Sequence, residues 1–180
     1  MNHVILVLGA TNFLLVAITA FLGLLSQPPV DANHLGDGAF LYHLPLGIFT
    51  ALFTMLVNCL VMTYFLGTNR WVRETAEAYA LDPRFTMRSR SCRTRSMMVI
   101  VPSILLVVAT IATGAGTHTK VWPLWLHWVA PAVTYLFVFY AYFVEYFAVE
   151  EHIQLTDEVM VEVDRIRAER GQPALSAVEE

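Results

Sequence analysis

Four stretches without Asp, Glu, Lys or Arg, at residues 1–30, 38–69, 96–119 and 121–144, dominate this 180-residue chain. Each exceeds the ~20 apolar residues that carry a helix across ~30 Å of hydrocarbon at 1.5 Å per residue. The sequence therefore predicts an all-α membrane protein, a four-transmembrane-helix bundle with spans over about 4–25, 38–66, 96–114 and 123–147. Composition agrees. Charged residues make up 14% and hydrophobic ones 57%, against ~25% and ~45–50% in a soluble domain. Residues 1–150 read as the membrane domain, and 151–180 as a cytoplasmic tail with a short amphipathic C-terminal helix at about 155–170.

The first span reads as retained rather than cleaved. Met1-Asn2-His3 carries no Lys or Arg, the apolar core from Val4 to Leu25 is too long for an h-region, and no Ala-x-Ala precedes Ser26. Basic residues set the expected orientation. The loop expected over 67–95 holds Arg70, Arg73, Arg84, Arg88, Arg90, Arg93 and Arg95, and the tail holds Arg165, Arg167 and Arg170. The connections at 26–37 and 114–122 contain only Lys120. Both termini and the Arg-rich loop are expected in the cytoplasm, in a membrane of the bacterial inner type. Cys59 and Cys92 are expected as free thiols, one inside the second span and one in the reducing cytoplasm.

Small and polar residues recur at helical spacing: Asn12, Val16, Thr19 and Gly23; Gly47, Thr50, Thr54 and Asn58; Ser103, Thr110 and Gly114. Such stripes are expected to pack helix on helix, because in lipid close approach and interhelical hydrogen bonds drive association. Pro102 and Pro131 interrupt the third and fourth spans. Asp82 and Pro83 read as an N-cap and first helical residue, starting the third helix well before the membrane.

The histidines carry the sharpest functional signal. His43 and His127 lie about five residues inside spans 2 and 4 from the same face, roughly 6–8 Å deep. Facing imidazoles at one depth are what a bis-histidine b-type haem requires. Gly47, one turn below His43, would leave room for the macrocycle, while Lys120 and Tyr42 would meet its propionates. An alternative outer metal site draws on His34, Asp37 and His118, with no strong ligand spacing. The arrangement is similar in outline to small b-type membrane cytochromes, an architecture shared by unrelated proteins.

Glu145 is the one acid inside an apolar stretch, five turns from His127 on the same face. It reads either as a proton relay or as the partner of Arg70 or Arg73. Tyr135, Phe139, Tyr142 and Tyr146 form an aromatic stripe suited to core packing or to walling a quinone. Gly67 to Glu74 reads as a glycine break followed by a short helix; it lacks the spacing of a phosphate loop. Arg84, Arg88, Arg90, Arg93 and Arg95 are expected to contact anionic lipid or a partner, and the acids of the tail are expected to face Arg84, Arg88 or Arg95. Nucleic-acid binding is not expected.

Three functions follow as expectations. The leading one is a redox membrane subunit or electron carrier, with haem b between His43 and His127, exchanging electrons with quinone or a partner. The second is a structural or assembly subunit held among other membrane subunits. The third is a small-solute or metal carrier, for which a charged pathway is missing. The orientation is testable by thiol labelling. Cysteine at position 34 or 118 should react with a membrane-impermeant reagent from outside the cell, and cysteine at position 90 only from inside. The reverse pattern would invert the topology.

Overall fold

The computed structural model describes residues 2–26 and 38–175, so His34 and Asp37 of the alternative metal set lie outside the described residues. Four helices follow one another: α1 (Asn2–Leu25), α2 (Gly38–Tyr79), α3 (Arg84–His118) and α4 (Leu124–Glu169). Each contains a window long and apolar enough to cross a membrane. Consecutive helices pack side by side and α1 closes against α4, so α2 and α4 meet across the bundle. The exposed surface of the spans is apolar, with Leu14, Phe21, Leu52, Leu105 and Phe143 among its side chains. This is a four-span integral membrane protein.

Three helices are longer than their spans, which corrects two expectations. Residues 67–79 do not break away from span 2 but continue it as α2. Gly67 meets no neighbouring atom within 4 Å of a Cβ placed there, and one glycine alone does not interrupt an i to i+4 ladder. Nor is the tail helix separate. Residues 148–169 prolong span 4, because no Gly or Pro intervenes between Pro131 and Gly171. At 46 residues α4 is roughly 70 Å long, about twice the hydrocarbon thickness.

The ends of these extensions are built by local chemistry. Ala80 takes φ +53° and Leu81 N–H donates to Ala76 O at 2.9 Å, closing α2 with a 6→1 turn that also buries Leu81. Pro83 has helical angles, so Asp82 acts as the cap of α3: its Oδ1 accepts from Arg84 N–H at 2.8 Å. Gly171, at φ +71°, and Gln172 donate to Ala168 O and Arg167 O to end α4. The Gly-then-Pro signal at 171–173 thus marks a true helix end.

Two apolar clusters form the interior. Ile5, Phe65, Cys92, Ile100 and Val149 pack within the bundle. Beyond the spans, Leu155, Val159 and Val163 of α4 pack against Val72 and Ala76 of α2, Leu81, and Phe85 of α3. The expected docking of the tail on the Arg-rich segment is therefore present. Arg88 forks onto Glu158 at 2.5 and 3.2 Å, and Arg95 pairs with Glu151. The hydrogen bond from Arg88 holds the Glu158 carboxyl below its ordinary range. Both pairs are largely exposed, so apolar burial supplies most of the hold. Replacing Leu155, fully buried, with Ala should cost about 2–5 kcal/mol. Glu158→Ala should cost less than about 1 kcal/mol. Thermal unfolding of the purified variants checks the ranking; equal losses would mean the ion pairs hold the lobe.

Candidate functional site

The site lies at the end of the bundle where α2 begins and α3 ends. His43 sits in the second turn of α2 and His127 in the first turn of α4, and both are half-buried. Their ring centroids lie 6.3 Å apart with planes at 73°. The equal depth read from the sequence thus becomes contact, because α2 and α4 face each other across the axis.

Flanking helices fix the two rings. His43 Nδ1 lies 3.0 Å from Thr19 O of α1. A carbonyl only accepts, so Nδ1 carries the proton and Nε2 presents a lone pair. Gly23, one turn beyond Thr19, lies against the same ring: a Cβ there would meet His43 Cε1 at 2.8 Å. Gly114 of α3 does the same for His127, at 3.0 Å from Cε1. His127 Nδ1 and Thr117 Oγ1, both buried, have no hydrogen-bond partner. His43 thus keeps the lone pair of Nε2 free of its Thr19 bond, and His127 has its Nδ1 without a partner.

The remaining expected residues fall into different places. Gly47 is directed to α1, where the nearest atom to an added Cβ is Thr19 Cγ2 at 3.7 Å, so ordinary packing would admit Ala. Gly23 and Gly114, assigned by spacing to the packing stripes, are the glycines that touch the histidines. The sequence signal was present in both, but nothing in a stripe says which glycine faces a ring. Lys120 lies in the α3–α4 turn at φ +59°. His118 is exposed and stacks on Phe40 at 5.7 Å, away from the central pair. Among the described residues no group of three His, Cys, Asp or Glu side chains is placed to hold a metal ion.

The stripes themselves bind helix to helix. Asn12 joins three helices, donating to Tyr142 Oη at 2.8 Å and accepting from Thr54 at 2.9 Å. Thr19 meets Thr50 at 2.9 Å, and Thr110 meets Thr134 at 2.7 Å. The aromatic stripe packs on α1, with Phe13 at 5.1 Å from Tyr135 and 5.5 Å from Phe139. The void left beside them is about 10 Å³, room for at most one water and not for a quinone ring. Arg70 pairs with Glu74 at 2.7 Å, and neither carboxylate oxygen of Glu145 has a partner, so the ion pair expected there is not formed. Arg84 lies over Phe85, Arg90 borders an open surface groove with Met87 and Ser91, and Arg93 is half-buried.

One further histidine was not singled out from the sequence. His152, fully buried where α4 leaves the apolar stretch, lies 2.9 Å from Ser89 Oγ and 3.3 Å from Tyr64 Oη. Asn69 donates to the same Ser89 at 2.7 Å. Its position, flanked by Glu150, Glu151 and Asp157, reads as solvent-facing until α4 is known to be continuous.

No family model, curated protein or solved structure matches this chain. The glycine contacts are testable without a ligand. Gly23→Ala and Gly114→Ala should each cost about 1–3 kcal/mol by crowding an imidazole, while Gly47→Ala should stay within roughly 0.5 kcal/mol. Thermal unfolding in one detergent compares them; a Gly47 loss equal to the others would contradict the packing described.

Proposed function

We propose that the protein is a redox-type subunit of a membrane, holding b-type haem between His43 and His127. The observation that carries the reading is the paired imidazoles on facing helices, with His43 Nδ1 committed to Thr19 O. A histidine so bonded through one nitrogen is oriented for metal ligation through the other. Two imidazoles presented from facing helices are the ligand set that a b-type haem iron takes from a protein.

The residues present offer two imidazoles as ligands for a haem iron. His43 and His127 would be the ligands, Thr19 O would hold the His43 ring, and Gly23 and Gly114 would let flanking helices approach. Bound haem would supply one-electron chemistry. The chain would supply both imidazole ligands and an apolar surround that disfavours charge, and both set a potential. With the Arg-rich end in the cytoplasm, the pair lies near the outer face. A centre so near one boundary would exchange electrons with a quinone or with a partner subunit docked there.

The test is an absorption spectrum of the purified protein from haem-replete cells, as isolated and after reduction. The proposal predicts a Soret band and sharpened visible bands on reduction, lost in His43→Ala and in His127→Ala. A wild-type protein without a Soret band would leave a structural or assembly subunit as the reading. A spectrum that survives both substitutions would place the haem elsewhere.

A further inference from the structure

The buried layer around His152 repeats two turns further into the membrane, but with its hydrogen bonds unmade. Phe65, Ser89 and His152, from α2, α3 and α4, meet in one layer: the Phe65 and His152 rings lie 5.5 Å apart and Ser89 Oγ is 2.9 Å from His152 Nε2. Asn58 precedes Phe65 by seven residues, Glu145 precedes His152 by seven, and Ser96 follows Ser89 by seven. Seven residues are two turns, about 10 Å along each helix, and return a side chain to the same face within about 20°. In these antiparallel neighbours all three steps run in one direction. Asn58, Ser96 and Glu145 therefore occupy one layer.

All three are fully buried, and Asn58 Oδ1, Ser96 Oγ and both Glu145 carboxylate oxygens lack any hydrogen-bond partner. The amide orientation is fixed, since Asn58 Nδ2 donates to Thr54 O at 2.8 Å. Ser96 departs from its neighbours. Thr54, Thr63, Thr68 and Ser103 each return a hydroxyl to the carbonyl four residues back, and Ser96 does not. Buried oxygens in such numbers are satisfied in folded proteins by a donor or a cation.

We propose that Asn58, Ser96 and Glu145 form a buried binding site for one monovalent cation, a sodium ion or the proton that competes with it. The donor set is all oxygen (carboxylate, amide and hydroxyl), as hard cations require. One carboxylate balances one positive charge, whereas a divalent ion would leave net charge in hydrocarbon. No basic side chain bonds the carboxyl in its place. The site is independent of the histidine pair and stands or falls without haem.

Other titratable groups around this layer are accounted for. On α4, Tyr142 is bonded to Asn12, and His152 to Ser89 and Tyr64. On α3, Cys92 is buried one turn beyond Ser96, and Arg95 is paired with Glu151. α1 contributes His3, which is exposed.

The experiment follows thermal unfolding of the purified full-length protein at pH 6 and pH 8, in sodium chloride or in choline chloride of equal ionic strength. A sodium site predicts a midpoint raised on the order of 5 °C by sodium at pH 8, with little effect at pH 6 where protons compete. A proton site predicts no sodium effect but a midpoint that falls from pH 6 to pH 8, because the carboxyl must ionise in place. Glu145→Gln, neutral throughout, should abolish whichever dependence the wild type shows. If that variant does not fold, Ser96→Ala carries the test by shifting the sodium concentration or pH at half effect. Equal sodium and pH responses in wild type and Glu145→Gln, or an unmoved midpoint in Ser96→Ala, would overturn the site.

Discussion

In hydrocarbon an apolar side chain gains nothing by leaving lipid for another helix, so this bundle depends on the contacts that lipid cannot offer. They are few and they are central. Asn12 ties α1 to α2 and α4, Thr19 meets Thr50, and Thr110 meets Thr134. The large apolar side chains, by contrast, cover the outside. The interior of the membrane half thus combines polar helix-to-helix bonds with a buried apolar cluster around Phe65 and Ile100.

Outside the hydrocarbon the balance reverses, and the hydrophobic effect acts. There α2, α3 and α4 extend beyond their spans and bury Val72, Phe85, Leu155, Val159 and Val163 together. That lobe fixes the register of three helices, and helices carry a register along their length. The same alignment that places Ser89 on His152 places, further along, His43 opposite His127. The polar layer at His152, with Ser89 and Tyr64 as its partners, is a structural joint between α2, α3 and α4.

The membrane class, four spans, the packing role of the stripes and the docking of 155–166 on the Arg-rich segment were legible in the sequence, because charge distribution and helical period determine them. Helix continuity was not. Gly67 and the acids at 157 and 158 look like boundaries, yet neither stops a helix without a clash or a lost hydrogen bond; α2 and α4 end instead at Ala80 and Gly171, both at positive φ. The depth of His43 and His127 was legible too, while their contact depended on how α1–α2 docks against α3–α4. Glycine roles were exchanged for the same reason: Gly47, Gly23 and Gly114 share one pattern, and only the bundle tells which face an imidazole. His152 was missed because its acidic surroundings resemble a solvated face.

The account rests on α2 and α4 meeting across the bundle axis with the two histidines in contact. Thiol cross-linking tests it most directly, in a His43→Cys/His127→Cys protein whose Cys59 and Cys92 are replaced by Ser, treated in membranes with a short bifunctional maleimide. An intramolecular product should form readily, and one pairing position 43 with the lipid-facing position 105 should not. Failure of the first pair, or equal reaction of the second, would contradict the arrangement from which the site is built.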